Sequence, residues 1–189
     1  MVAAIAVLRD QPAPAPFSIR DQKEALFLLA HLVGDVHQPL HVGAVYLTLT
    51  GKEIAPDAGG GPLDPATETR GGNSIEDGAT NLHAEWDAIS TRIKPTAISP
   101  KMLTAAKGVA VTAGDVTTWP AAWASETIVA SHSAFTGVAF TRTGATKPGE
   151  WTAVFPNRKR YFGKKNTLQA AQLAKGGARL SQLLNAIWP

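Results

Sequence analysis

Between Gly43 and Thr80 the chain runs through "PDAGGGPLDPATETRGGN", a stretch that no regular helix or strand can cross. Proline lacks the backbone donor, and glycine loses the most conformational freedom on ordering. A long irregular segment inside a compact domain is either functional or unstructured. Residues 43–80 therefore read as one long loop insertion, with "AVYLTLTGKEI" at its start leaving room for a short strand and turn. Gly51–Thr69 should make few buried apolar contacts.

On both sides of this loop the pattern is helical. "QPAPAPFS" is an extended connector. Ser18, with Asp21 three residues on, then looks like a helix start. "DQKEALFLLAHLVGDV" carries an apolar stripe through Leu26, Leu29, Val33 and Val36, and Pro39 should end or kink that helix. Helix returns at "TNLHAEWDAISTRI", capped by Thr80 or Asn81, and at "SPKMLTAAKGVAV", with Ser99 as cap and Pro100 in the first turn. "WPAAWASETIVASHSAF" repeats that arrangement with Pro120. In the tail, Leu168, Leu173, Leu180, Leu183, Leu184 and Ile187 fit one side of a helix. The fold class is mainly α, and 189 residues make one domain able to bury a core.

Composition narrows the chemistry. There is no cysteine, so disulfides and thiolate zinc sites are excluded, and any metal must be held by His, Asp, Glu or backbone groups. Net charge is +3 with a pI of about 9.3, a mild lean toward anionic partners. No apolar run is long enough to span a bilayer. "MVAAIAVLRD" is short, has no basic residue ahead of its apolar part, and does not read as a signal peptide.

Three of the five histidines fall within "HLVGDVHQPLHVG". His31 and Asp35 are four residues apart and share a helix face, and His83 and Asp87 repeat the spacing on a second helix. His41 lies just past Pro39. One HxxxD pair alone is a plain surface ion pair of small worth. Two such pairs on separate helices, with His41 at a proline break, supply the imidazole and carboxylate donors of a cysteine-free zinc site. The spacing also permits a His37/His41 pair, although a helix-end His37 bonded to a backbone carbonyl is the simpler reading. His132, alone in "ASHSAF", reads as a satisfied core or surface residue rather than a ligand.

"HLVGDVHQPLHVG", "RGGN" and "NLHAEWD", in that order, resemble the signature of the zinc-dependent single-strand-specific endonucleases and 3′-nucleotidases of the mung-bean-nuclease type. "AAWASETIVAS" and "QLAKGGARLSQLLNAI" resemble the later helices of that family, so the resemblance runs over most of the chain. It implies the multi-helix phospholipase C/nuclease-type fold and three zinc ions. His41, His83 and Asp87 would supply one ion. His31 and Asp35 would serve the other two, with Asp35 bridging them as the catalytic carboxylate. His37 stands where that motif requires no ligand. The family places further ligands, an N-terminal Trp and His among them, ahead of the HxxGD helix. Thirty residues precede His31 here, and none is His or Trp. Residues 1–189 are thus expected to be a single, N-terminally incomplete zinc nuclease domain retaining about one zinc.

Zinc lowers the pKa of bound water to about 7, and a second ion steadies charge on the attacked phosphate. The resemblance implies hydrolysis of single-stranded DNA or RNA to 5′-phosphate products, 3′-nucleotidase activity, a monomer, and a secreted or periplasmic location. Two other readings stay open: a phospholipase C-like zinc esterase, and an inactive metal- or nucleic-acid-binding fragment. "RGGN" reads as a turn whose Asn73 could approach a substrate phosphate. "NRKRYFGKK" sets five cations around two aromatics, either a single-strand platform or a solvated basic face. The five tryptophans read as core or cleft-wall residues.

Overall fold

The computed structural model describes residues 1–59, 62, 64–91, 93, 98–142 and 151–189. It is mainly helical, with seven α-helices and two small sheets among the described residues. No described helix is long and apolar enough to cross a membrane. The chain divides into two compact units, Met1–Gln38 with Thr91–Thr127 and Ala170–Pro189, and Pro39–Ser90 with Ile128–Gln169.

In the first unit α1 (Val2–Leu8) packs on α2 (Gln22–Val36). The start of α2 is set by Asp21 rather than Ser18: the Asp21 carboxylate accepts from the Glu24 N–H at 2.8 Å, satisfying a donor the first turn leaves open. The buried stripe of α2 is Ala25, Leu29, Val33 and Val36. Leu26, expected in that stripe, is 37% exposed, because a four-residue step from Leu29 reaches Ala25 instead. The Ser99 hydroxyl caps α5 (Pro100–Lys107) by accepting from the Met102 N–H, with Pro100 in the first turn as predicted.

The second unit opens at Pro39, which neither kinks nor merely ends α2. It starts a separate short helix, α3 (Pro39–Val42), where its fixed φ is favourable and its missing N–H costs nothing. The expected hairpin is present as β1 (Tyr46–Leu47) antiparallel to β2 (Glu53–Ile54). Two 3-10 turns, Pro56–Gly59 and Pro65–Thr67, follow within the glycine- and proline-rich stretch. Gly60, Gly61 and Leu63 of the expected loop lie outside the described residues. The loop is also tied down: the Thr69 hydroxyl donates to the Val45 carbonyl at 2.7 Å, and Thr69 is fully buried.

A four-stranded sheet was not foreseen. Its order is β4 (Thr80–Asn81), β3 (Ile75–Asp77), β6 (Trp151–Val154), β5 (Ala139–Arg142), with β3 and β6 parallel and the other pairs antiparallel. Its strands are too short to announce themselves by alternation, and β3 pairs with β6 across a large sequence gap. Leu40, Leu47, Ile75, Leu82, Trp86, Phe140 and Trp151 form the core against it.

Helix α4 (Leu82–Asp87) is shorter than expected, and α7 (Arg158–Ile187) is longer. Asn157, at the N-terminus of α7, accepts from the Arg160 N–H at 2.9 Å, so "NRKRYFGKK" is the first part of that helix. Arg158 forms a two-toothed ion pair with buried Asp77 at 2.6 and 2.9 Å and lies over the Phe155 and Phe162 rings. Tyr161 and Lys165 are buried. The stretch is therefore only in part a solvated basic face. Helix α6 (Trp119–Phe135) precedes β5. Trp86, Trp119, Trp123 and Trp151 are buried, while Trp188 is 48% exposed.

Candidate metal centre

His41, His83 and Asp87 meet in the second unit. Asn81 caps α4 by accepting from the Ala84 N–H at 2.8 Å. Helical spacing then brings His83 and Asp87 onto one face, with His83 Nε2 3.7 Å from an Asp87 oxygen. Pro39 resets the chain so that His41 leaves α3, and His41 Nε2 lies 3.2 Å from the other Asp87 oxygen. The two imidazoles stack with centroids 4.9 Å apart and planes 13° off parallel. One donor atom from each residue falls within 4.8 Å of the other two.

The donor set suits zinc. Three N and O donors are the complement of a catalytic zinc site, and ligands about 2.0–2.2 Å from one tetrahedral ion sit roughly 3.4 Å from each other. The 3.2 and 3.7 Å separations, each to a different Asp87 oxygen, lie near that value, and a set of one donor atom per residue falls within 4.8 Å. A second feature points the same way. His83 Nδ1 donates to the Gly71 carbonyl at 2.9 Å, so its proton is fixed there and Nε2 keeps a lone pair toward Asp87. This is the backbone support that metal-binding histidines ordinarily have.

Gly71 can do this because its backbone is left-handed, with φ +59°, and because a Cβ there would overlap the Leu40 carbonyl. Arg70 also has a positive φ, 51°, and is steadied by its Nε donating to the Ser74 hydroxyl at 2.9 Å. The Gly72 carbonyl takes the His83 N–H at 3.4 Å. Within this turn, the amide of exposed Asn73 donates to the Arg70 carbonyl at 2.9 Å.

The far end of α4 is held as firmly. Gln169 donates to the Trp86 and Ala88 carbonyls, both at 3.0 Å, and the buried Lys165 ammonium donates to the Ala88 carbonyl at 2.8 Å. Burial lowers the Lys165 pKa below its ordinary value, with Glu85 acting the other way. These bonds satisfy carbonyls that the end of α4 leaves without intrahelical partners. The Trp86 indole donates to the Tyr161 hydroxyl at 2.9 Å, and that hydroxyl donates to the Ala134 carbonyl at 2.7 Å. Burial pushes the Tyr161 pKa up to about 12.

His31 and Asp35 belong to the first unit. They face each other along α2, His31 Nε2 3.2 Å from an Asp35 oxygen, with the His31 side chain 73% exposed. His37 has a different task. It is buried, its Nδ1 donates to the Val33 carbonyl at 2.7 Å, and its Nε2 accepts from Arg179 at 3.1 Å. An arginine cannot accept, so His37 is neutral with its proton on Nδ1, and neither nitrogen is left for a metal. His132 is not in the three-residue cluster. It is exposed and lines the cavity that His41 and His83 also line.

The sequence marks "RGGN" as a turn, but not the Gly71 carbonyl as the group that orients His83. It places Lys165 in a basic stretch, but not against α4, and Gln169, a polar residue on a helix face, carries no signal.

A model of the S1/P1 nuclease family matches residues 1–189. Endonuclease 4 of Arabidopsis thaliana is 30% identical over 175 residues, covering 87% of this chain and 50% of that protein. The chain thus spans about half the length of the curated relative it matches. No solved structure matches.

Proposed function

We propose that this chain, which belongs to the S1/P1 nuclease family, is a zinc-dependent phosphodiesterase that hydrolyses single-stranded DNA or RNA to 5′-phosphate products and also acts as a 3′-nucleotidase. The observation that carries the reading is the convergence of His41, His83 and Asp87, with His83 oriented by the Gly71 carbonyl.

In this reading His41, His83 and Asp87 would hold one zinc through two neutral imidazoles and one carboxylate. His31 and Asp35 would serve further zinc positions, Asp35 as the catalytic carboxylate. Bound zinc would supply a Lewis acid beside the phosphoryl group. The protein's own residues do the rest. Asp87 offsets cationic charge, Gly71 keeps the His83 proton on Nδ1, and Asn73, at the rim of the turn, hydrogen-bonds a phosphate oxygen. Residues 1–189 work as one nuclease domain into which 43–80 is inserted. The protein acts as a monomer and is secreted or periplasmic, in keeping with its family.

The test is hydrolysis of single-stranded DNA and of a 3′-nucleotide by the zinc-loaded chain, beside the Asp87→Ala variant and beside phosphatidylcholine as substrate. Cleavage of the nucleic acid that disappears in Asp87→Ala supports the reading. Turnover of phosphatidylcholine in its place would assign the site to lipid headgroups.

A further inference from the structure

The first two turns of α7 carry five cations, Arg158, Lys159, Arg160, Lys164 and Lys165, and the first turn holds no acidic residue. That is the unfavourable end of a helix for them. The N-terminus bears partial positive charge, and Arg160 and Lys164, four residues apart, add like-charge repulsion along one face. Two of the five have structural partners: Arg158 pairs with Asp77, and Lys165 donates to the Ala88 carbonyl. Lys159, Arg160 and Lys164 are exposed, and among the described residues no carboxylate forms an ion pair with them.

An open cavity of about 230 Å³ lies in the second unit where α6 ends and α7 begins, walled by Thr136, Pro156, Asn157, Arg160, Tyr161 and Lys164. It shares no lining residue with the cavity at His41 and His83. We propose that this cavity and its cations form an exosite for nucleic-acid backbone phosphates, holding the substrate strand at a point away from His41, His83 and Asp87. The inference rests on the nuclease reading above and adds a second hold on the strand.

The wall is made of donors. Two cations belong to it and no carboxylate does, whereas two larger cavities of this unit each hold a glutamate, Glu53 in one and Glu68 in the other. The Tyr161 hydroxyl is engaged by Trp86 and Ala134, and the Thr136 hydroxyl donates to the His132 carbonyl. The Asn157 amide oxygen accepts from the Arg160 N–H, which leaves the amide NH2 as a donor. A ligand therefore meets the Arg160 guanidinium, the Lys164 ammonium and the Asn157 amide, groups that suit phosphate oxygens. The volume is below the ~300 Å³ at which small-molecule pockets begin, so it takes a phosphate group rather than a whole nucleotide. Contacts of this kind hold a strand without reading its sequence.

The buried side of the same two turns fixes the patch. Tyr161 and Lys165, each directly after a cation of the wall, hold α4 through the Trp86 indole and the Ala88 carbonyl. Arg158, with both teeth on buried Asp77, pins the first turn and lies over the Phe155 and Phe162 rings. Lys159, Arg160 and Lys164 thus ride on anchored backbone, and binding spends little on ordering it. A phosphate also relieves the repulsion that these turns otherwise sustain, which a neutral ligand does not. Because α7 holds the helix that carries His83 and Asp87, a strand bound at both places is held by one packed unit.

The experiment measures binding of a long single-stranded phosphorothioate oligonucleotide, which resists hydrolysis, to the zinc-loaded chain by fluorescence anisotropy over a series of salt concentrations. In a variant combining Lys159→Gln, Arg160→Gln and Lys164→Gln, the plot of log affinity against log salt should flatten by about 2, three phosphate contacts at roughly 0.7 each on a single strand. A control combining Lys23→Gln, Lys101→Gln and Lys107→Gln removes the same charge from exposed positions of the first unit and should keep the wild-type slope. The exosite variant should melt no lower than wild type, because repulsion at the helix start is removed. A wild-type slope in that variant, or equal flattening in the control, would overturn the exosite and leave the nuclease reading intact. So would a loss of binding to phosphatidylglycerol vesicles with binding to the strand unchanged. Failure of the zinc-loaded wild-type chain to bind the strand at any salt concentration would remove the nuclease reading, and the exosite with it.

Discussion

The Gly71 carbonyl oxygen stands 2.9 Å from Nδ1 of His83 and fixes which imidazole nitrogen is available for a metal. Replacing Gly71 should therefore act on the metal rather than only on the fold. In Gly71→Ala, a residue with a Cβ is asked to hold φ +59° against the Leu40 carbonyl, so the turn must shift and take its carbonyl with it. Loss of such a supporting contact typically costs 10–100-fold in metal affinity. Titration of the chain with zinc against a competing chelator dye should show a loss of about that size. Unchanged affinity in a folded Gly71→Ala variant would mean that the carbonyl does not orient His83.

The clamp on the far end of α4 makes a separate prediction. Lys165→Met keeps the length of the side chain and removes the donor to the Ala88 carbonyl, leaving Gln169 as the remaining partner. Loss of one hydrogen bond from a charged donor should cost about 1.5–3 kcal/mol, less what Gln169 restores. Asp87, one residue before Ala88, should loosen with it, so zinc affinity should fall several-fold. Lys165→Arg should recover part of that affinity. Denaturant unfolding and zinc titration of the two variants separate the stability effect from the positioning effect.

His37 predicts a pH dependence. Burial lowers its pKa below the usual 6.5, and the charges of Arg179 and Lys175 lower it further, while the Val33 carbonyl and Glu126 oppose the shift. The folded state therefore takes up the proton less readily than the unfolded chain. The stability that neutral His37 confers is fully present above pH 6.5 and is lost as pH falls below it toward the folded-state pKa. Protonation would also remove the lone pair that accepts from Arg179. Denaturant unfolding of the zinc-free protein between pH 7.5 and 5.5 should show this loss, and His37→Asn should flatten the part of the slope due to this residue. An identical slope in wild type and His37→Asn would contradict it.

Helix starts and the donor cluster were legible because each rests on local chemistry. Ser99 and Asn81 cap where their side chains must, and the HxxxD spacing places His83 with Asp87 on any helix. What was hidden rests on contacts distant in sequence. The buried face of α7 runs through Tyr161, Lys165, Gln169, Gln172, Arg179, Leu183 and Ile187, so apolarity alone misreads its upper half. Lys165 and Gln169 are buried because α4 ends beneath them, and Arg179 because His37 and Glu126 receive its N–H groups. The β3–β6 pairing joins Ile75 to Trp151, and no local pattern in either short strand reveals that partner. Apolarity likewise favoured Leu26 over Ala25, although only the smaller residue is buried.

The central claim, that His41, His83 and Asp87 form one zinc site, is tested most directly by the zinc content of the purified chain after dialysis against metal-free buffer. Wild type should retain about one zinc per chain, as a three-ligand site with His and Asp donors does. Asp87→Ala, folded by circular dichroism, should retain none. Equal zinc content in wild type and Asp87→Ala would contradict the claim, because the metal would then be held elsewhere.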